Sequence, residues 1–169
     1  MSFQNKIVII TGGAHGIGKC CAECFEHEGA IVHVIDIKQG PWFVGDIADK
    51  ATLERFANDV LAKSGHVDVL VNNAPPLFKG VDNCTYDEFM HAQAVGVAAP
   101  FYLAKLFNNH FSEGASIINI SSSRDRMSQP QSETRRVTGT GSPAAKSIAS
   151  TLACNVFAFK LFHSLLFAV

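Results

Sequence analysis

The sequence predicts an α/β fold in which helices cover both faces of a parallel, doubly wound sheet of about five strands. Two observations support this prediction. Short β-branched runs at residues 7–10 and 67–71 suit buried parallel strands, and segments with a helical spacing of apolar residues lie between such runs. Of the 169 residues, 47% are apolar and 17% charged, so residues 1–169 suit one domain with an ample core.

The first strand, residues 7–10, leads directly into a glycine-rich turn. Gly12, Gly16 and Gly18 follow it as Gly-x-x-x-Gly-x-Gly, and residues 19–28 then have helical spacing. Strand, glycine turn and helix in this order are the setting of a Rossmann-like, dinucleotide-binding fold. Glycine lets the backbone approach a diphosphate, and the next helix offers free N–H groups and a positive dipole end.

This turn supplies the first candidate cofactor-binding residues, which are Gly12, His15, Gly16, Ile17 and Gly18. Two alternatives stay open. The glycines can serve packing alone, as in many strand-to-helix turns. His15 can likewise be an ordinary loop residue that does not face the phosphates.

The second strand, residues 30–37, carries an acid near its end, Asp36. A carboxylate at this position can accept hydrogen bonds from both hydroxyls of the adenosine ribose and repels a 2′-phosphate. The sequence therefore predicts NAD as the cofactor, with NADP disfavoured by Asp36. On charge alone, Asp36→Arg is expected to shift the preference toward NADP.

The remaining elements follow from turn and capping signals. Gly40 and Pro41 mark a turn too short for a helix. Asp49 is an N-cap residue, and Thr85 with Glu88 forms a capping box, so helices are predicted after both. Pro100 is expected to tilt or restart a helix. The predicted elements are a strand at 42–45, a helix at 50–64, a strand at 67–71, a helix at 85–94, a helix from 100 to about 110 and a strand at 116–121.

Four segments together resemble the short-chain dehydrogenase/reductase family over about residues 5–133. Residues 11–18 match its Thr-Gly-x-x-x-Gly-x-Gly turn, and residues 118–122 match the strand that carries a catalytic serine. Asp46 and Ile47 match an acid-aliphatic pair beside the adenine, and residues 72–74 match Asn-Asn-Ala-Gly, with Pro75 at the glycine. The resemblance implies that Asp46, Ile47, Asn73 and Ala74 bind cofactor, that Ser122 is catalytic, and that Thr11 bonds the turn at 72–74.

Members of this family exchange hydride between a nicotinamide cofactor and a carbonyl or alcohol substrate. Their serine orients the substrate oxygen, and a Tyr-x-x-x-Lys pair transfers the proton and holds the nicotinamide ribose. Here the two tyrosines are Tyr86 and Tyr102, both ahead of the serine strand, and Arg135 stands where the tyrosine is expected. Lys146, in Ser-Pro-Ala-Ala-Lys, is the nearest candidate for the catalytic lysine.

Residues 134–169 depart from the family pattern and end in an apolar tail. A frameshift, an altered splice, a truncation and genuine divergence all stay open as explanations. The expected consequence is a sheet that is incomplete on its C-terminal side, with the fifth strand at an edge. A membrane anchor is disfavoured, because Asn155, Lys160 and His163 would be costly in hydrocarbon.

Composition excludes several other functions. The net charge of −1, without a basic stripe, argues against nucleic acid, and the polar N-terminus argues for a cytoplasmic protein. The five cysteines are interpreted as buried reduced thiols rather than a metal site. The expected partners are a nicotinamide dinucleotide and a small alcohol or ketone, with a homo-oligomer possible. The main hypothesis is an active oxidoreductase; the alternatives are a catalytically inactive NAD-binding fragment and a fragment without function of its own.

Overall fold

A computed structural model describes residues 3–77, 79–80 and 82–121. This part of the chain forms a five-stranded, all-parallel sheet with helices on both faces, which confirms the predicted fold class. The strands are β1 (Ile7–Thr11), β2 (Ile31–Asp36), β3 (Phe43–Val44), β4 (Val67–Asn72) and β5 (Phe111–Asn119). The helices are α1 (Gly16–His27), α2 (Lys50–Ser64), α3 (Tyr86–Gln93) and α4 (Ala99–Leu106).

The strand order is β3-β2-β1-β4-β5, so the chain reverses its direction of winding between β1 and β4. From β1 it moves outward to β2 and β3, and α2 then carries it back to place β4 on the other side of β1. In an open parallel sheet this reversal leaves a crevice beyond the carboxyl ends of the two central strands. The topology therefore puts the glycine turn after β1 beside the Asn72-Asn73-Ala74 segment after β4.

Two hydrophobic cores lie on opposite faces of the sheet, because successive side chains of β1 and β4 point to opposite sides. Every residue of both strands is buried. Ile9 and Leu70 pack with α2 and α4 through Phe56 and Leu103. The other core is smaller and joins further apolar residues of the two strands to α1; its buried members are Val8, Ile10, Ala22, Phe25, Val69 and Val71.

Helix ends agree with the sequence wherever a cap marks them. Asp49 accepts hydrogen bonds from the backbone N–H groups of Ala51 and Thr52, and α2 then runs over the predicted residues. Thr85 and Glu88 form the predicted capping box of α3. By contrast, α1 begins at Gly16 rather than at residue 19. Glycine has a poor helix propensity, and tertiary contacts of the turn override it here.

The helix around Pro100 was predicted to tilt or restart at the proline, but its irregular turn lies just before the proline. Helix α3 continues through a π-helical turn, Ala94–Ala98, directly into α4. The N–H of Ala99 bonds the carbonyl of Ala94, five residues back. Because proline lacks an N–H and its ring collides with the carbonyl four residues earlier, a wider turn just ahead of Pro100 lets the helical path continue.

Strand β5 is longer than predicted and starts at Phe111 instead of residue 116. Its pairing with β4 shifts register, because Val67 pairs with Phe111 whereas Val69 pairs with Ser116. Gly114 has a φ of 76°, a conformation that favours glycine and hides the strand from pattern reading. Among the residues that the structure describes, β5 pairs on one side only.

None of the described helices combines the length and the apolar composition that a membrane span needs.

Candidate functional site

The carboxyl ends of β1 and β4 are joined by hydrogen bonds between the glycine turn and Asn73. The Asn73 side-chain amide donates to the carbonyl oxygens of Thr11 and Gly12, each at 3.0 Å. The Thr11 hydroxyl oxygen accepts from the backbone N–H groups of Asn73 and Ala74, also at 3.0 Å, as predicted for Thr11. These four bonds hold the walls of the crevice at a fixed separation.

Close packing explains two of the three glycines. A Cβ on Gly12 would lie 2.8 Å from the Cα of Ala74, and one on Gly18 would lie 2.2 Å from the carbonyl oxygen of Gly12. Gly16 differs, because its φ of 55° calls for glycine while nothing lies within 4 Å of its added Cβ. The packing alternative therefore accounts for Gly12 and Gly18, whereas Gly16 borders open space.

The N-terminus of α1 has the properties of an anion site. His15 precedes it in extended backbone and makes no capping hydrogen bond with its side chain, and the first turn contains no acid. The first N–H groups of a helix have no acceptor within the helix, and the dipole leaves partial positive charge there. Residues 15–17 are exposed. This end of α1 therefore presents donors toward the solvent at the crevice.

Asp36 lies at the end of β2 and is only 6% exposed. One carboxylate oxygen, Oδ2, accepts from the backbone N–H of Ala14, and Oδ1 accepts from the N–H of Lys38, both at 2.9 Å. A carboxylate has about four acceptor positions. Two donors therefore leave acceptor capacity for a ligand beside the glycine turn.

The structure places Asp46 and Ile47 in different surroundings. The carboxylate of Asp46 accepts from the N–H of Ala48 at 2.8 Å, and its other oxygen lies 2.8 Å from Nε2 of His91 on α3. Ile47 is 6% exposed and packs in the larger core. Sequence reasoning missed His91, because no local pattern links two residues that lie on separate elements.

A second asparagine joins the ends of β4 and β5. The side-chain amide of Asn72 donates to Oδ1 of Asn119 at 2.9 Å, and the carbonyl of Asn72 accepts from the N–H of Ile120 at 2.9 Å. Within the described residues, Oδ1 of Asn72 is buried without a donor. Buried acceptors of this kind are mostly paired with protein groups or ordered water.

The proposed catalytic residues, Ser122 and Lys146, lie outside the described residues, as do residues 134–169. The two tyrosines, Tyr86 and Tyr102, lie on α3 and α4. Tyr86 is 76% exposed on α3. Tyr102 donates its hydroxyl to Glu54 at 2.6 Å, and this hydrogen bond raises the pKa of Tyr102. A phenol with a raised pKa and an engaged proton is a poor general acid near neutrality.

The four cysteines that the structure describes are free but not fully buried, which corrects one expectation. Among the described residues Cys20 is exposed, whereas Cys21, Cys24 and Cys84 have intermediate exposure. Cys20, Cys21 and Cys24 follow the first turn of α1. The buried residues of that helix are Gly18, Ala22 and Phe25, and Cys21 packs beside them against the smaller core. In the part of the chain that is described, no three His, Cys, Asp or Glu residues are grouped to hold a metal ion.

Comparison with known proteins supports the resemblance to the short-chain dehydrogenase/reductase family. A family model described as enoyl-(acyl carrier protein) reductase matches residues 12–155, and so extends past residue 133, where the pattern was expected to break. An uncharacterized oxidoreductase of Thermotoga maritima is 31% identical over 141 residues, which cover 72% of this chain and 55% of the relative. The chain spans about half the length of the curated relatives it matches.

Two solved structures share the fold and part of the sequence. An apo SCOR enzyme from Clostridium thermocellum is 34% identical with a TM-score of 0.81, covering 88% of this chain and 67% of that one. A 3-ketoacyl-(acyl-carrier-protein) reductase from Brucella melitensis, complexed with NADH, is 25% identical with a TM-score of 0.74, covering 81% and 65%. On its turn, its strand order and these matches, the chain belongs to the short-chain dehydrogenase/reductase family.

Proposed function

We propose that this protein binds a nicotinamide dinucleotide at the crevice between β1 and β4 and exchanges hydride between that coenzyme and a small alcohol or ketone. The observation that carries the proposal is the braced turn from Thr11 to Gly18. Asn73 fixes it from one side and Asp36 from the other, and it presents an uncapped helix N-terminus without an acid in its first turn. This arrangement suits a diphosphate.

The diphosphate is assigned to the backbone N–H groups of Gly16, Ile17 and Gly18, with His15 at the edge, while Gly12 lets the turn approach Ala74 closely. Open space over Gly16 is the feature that internal packing does not explain. Charge supports the assignment, because a helix N-terminus favours an anion by about 0.3–1 kcal/mol even where it is exposed.

Coenzyme preference is assigned to Asp36, and we propose NAD rather than NADP. The acceptor capacity left on its carboxylate suits two ribose hydroxyls, whereas a 2′-phosphate would meet a negative charge. The Brucella melitensis relative was solved with NADH, which is consistent with this choice but concerns that protein.

The adenine is assigned to the segment after β3. Because the side chain of Ile47 is buried, contact from this residue would come from its backbone, while Asp46 and its neighbour His91 offer side-chain polar groups. The nicotinamide ribose is assigned to the backbone of Asn73 and Ala74, beside the glycine turn.

For the chemical step we assign the substrate oxygen to Ser122 and the nicotinamide ribose to Lys146. The bound coenzyme supplies or accepts the hydride. No tyrosine matches the family's proton donor, and Tyr102 is engaged by Glu54, so the catalytically inactive NAD-binding alternative is tested directly alongside the main proposal.

For location we propose the cytoplasm, with which the four free cysteines of the described residues are consistent. We also propose that the chain forms a homo-oligomer.

Calorimetric titration of the full chain with NAD and NADP tests binding. We expect saturable heat from NAD and at least tenfold weaker binding of NADP. The absence of heat from both coenzymes in a folded sample would refute the proposal. Emission from Trp42, which lies between Asp36 and Asp46, gives an independent readout of the same titration.

Turnover then separates the active enzyme from the inactive alternative. A panel of secondary alcohols and ketones is assayed by absorbance of NADH, with Ser122→Ala as the comparison. Turnover that Ser122→Ala abolishes supports the oxidoreductase. Saturable NAD binding without turnover on any substrate selects the inactive NAD-binding chain.

A further inference from the structure

Asp36 contacts two chain segments at once, and one of them is the glycine turn. Its Oδ2 accepts from the N–H of Ala14 and its Oδ1 from the N–H of Lys38, both at 2.9 Å, while the residue is 6% exposed. We propose that Asp36 is also a positioning residue, which holds the glycine turn in its binding conformation before coenzyme arrives. The consequence for affinity rests on the proposed function. The hydrogen bond from the N–H of Ala14 to Asp36, here called the tie, is present without coenzyme.

The turn needs such a tie because its own sequence does not fix its shape. Gly12 and Gly16 have positive φ angles, and glycine loses more conformational freedom on ordering than any other residue. The bonds to Asn73 and the bond from the N–H of Gly12 to the carbonyl of Ile35 fix the beginning of the turn. Between Ala14 and Ile17, the described side-chain hydrogen bond to the turn is the one from the N–H of Ala14 to Asp36. A turn ordered in advance binds its ligand without losing that freedom on binding.

The tie changes the expected result of exchanging the acid for a cation. On charge alone, Asp36→Arg should favour NADP, because a cation attracts the 2′-phosphate. Arginine, however, has no acceptor, so the N–H groups of Ala14 and Lys38 both lose their partner. A guanidinium must also occupy a position that is 6% exposed. We therefore expect Asp36→Arg to weaken NAD at least tenfold without giving NADP the affinity that the unaltered chain has for NAD.

Asp36→Asn is the sharper variant, because it keeps the size of the side chain. Its amide keeps one carbonyl oxygen and puts an NH₂ donor where the other acceptor stood, so one backbone N–H must face a donor. Asp59→Asn is the matched control. Asp59 is on α2, where its carboxylate pairs with Lys63 at 2.7 Å, remote in sequence from the turn and outside the proposed site.

Amide hydrogen exchange of the coenzyme-free chain, followed residue by residue by NMR, measures the tie directly. We expect exchange at Ala14 to quicken at least tenfold in Asp36→Arg, with smaller increases at Gly13 and Gly16. In Asp36→Asn the single amide oxygen can serve only one of the two N–H groups, so exchange at either Ala14 or Lys38 should quicken at least tenfold. Exchange at Ile9 and Leu70 in the core should not change, and Asp59→Asn should resemble the unaltered chain. A general loss of stability would instead quicken exchange in the core as well.

Calorimetry with NAD and NADP on the same variants completes the test. The proposal is overturned if Ala14 exchanges equally in Asp36→Arg and in the unaltered chain, if neither Ala14 nor Lys38 exchanges faster in Asp36→Asn, or if Asp36→Arg binds NADP as tightly as the unaltered chain binds NAD. If the unaltered chain binds neither coenzyme while exchange at Ala14 still depends on Asp36, the proposed function fails and the positioning role stands.

Discussion

Two buried aspartates stand at opposite ends of the same parallel sheet. Asp36 closes β2 at the carboxyl end, and Asp68 opens β4 at the amino end; they are 6% and 5% exposed. Asp68 receives four contacts, from Nζ of Lys6 at 2.9 Å, the N–H of Ile7 at 2.8 Å, the hydroxyl of Ser112 at 2.6 Å and Nε2 of His66 at 3.2 Å. Asp36 receives two.

The difference separates a structural carboxylate from one at a candidate site. Burial alone would raise the pKa of Asp68, but the hydrogen bonds from Ser112, Ile7 and Lys6 outweigh it and lower that pKa to about 2. Its acceptor positions are filled by groups from the starts of β1, β4 and β5, which it joins. Asp36, at the rim of the crevice, accepts two hydrogen bonds and so has acceptor positions left for a ligand. Changes at Asp68 should therefore alter stability, whereas changes at the rim should alter binding.

The largest expected effect is on stability at the amino end. Asp68→Ala leaves the ammonium of Lys6, the N–H of Ile7 and the hydroxyl of Ser112 without their shared acceptor. The Lys6 side chain is 50% exposed, so water can replace its partner. Each buried donor left without an acceptor costs about 1–3 kcal/mol, so we expect a total on the order of 3 kcal/mol. Denaturant unfolding should show this decrease, and NAD affinity measured on the remaining folded chain should be unchanged. A decrease below about 1 kcal/mol would contradict the structural role of Asp68.

The pH dependence of stability gives the next effect. Because the pKa of Asp68 falls from 3.8 to about 2 on folding, its carboxylate stabilises the native chain above about pH 4. This contribution, about 2 kcal/mol, disappears as the pH falls toward 2. Unfolding of the unaltered chain and of Asp68→Asn is compared at several pH values between 5 and 2. The difference between them should shrink on acidification, and a constant difference would refute the link.

At the carboxyl end, a charge placed at the start of α1 should act on binding. Ile17 is 55% exposed in the first turn of that helix, where no acid occurs. Ile17→Glu should weaken NAD roughly tenfold through repulsion of the diphosphate, while Ile17→Gln, of the same size, should change affinity much less. Calorimetry measures both, and the difference should decrease at high salt. Equal affinities for the two variants would place the diphosphate elsewhere.

The smallest expected effect concerns His91. Its contact with Asp46 is half-exposed, and surface pairs contribute about 0.2–1 kcal/mol. His91→Ala should weaken NAD about two- to fivefold by releasing Asp46, and His91→Gln should restore part of the loss because it can still donate a hydrogen bond. Stability should stay within about 0.5 kcal/mol of the unaltered chain. A large loss of stability would show that the pair belongs to the fold rather than to the rim.

Features with signals close together in the sequence could be predicted, whereas features that depend on distant segments could not. The bounds of α2 follow from Asp49 and Gly65, a capping carboxylate and a glycine with a φ of 76°, both of which are local signals. The site residues from Gly12 to Gly18, with Asp36, follow from a strand, a turn and a second strand that lie near one another in sequence. Asp68 gave no such signal. It looks like one polar residue in an apolar strand, and its partners Lys6 and Ser112 come from distant segments.

Local chemistry alone determined which segments form strands and helices, where the capped helices begin and end, and which strand leads into the glycine turn. The tertiary structure decided what the polar side chains do once the strands are aligned. The two carboxylate oxygens of Asp36 accept from Ala14 and Lys38, and Asp46 pairs with His91. Strand β5 begins five residues before its predicted start and includes Gly114. The physical reason is that capping and strand propensity act within a few residues, whereas the partner of a buried carboxylate is whichever donor the register of neighbouring strands brings within about 3 Å.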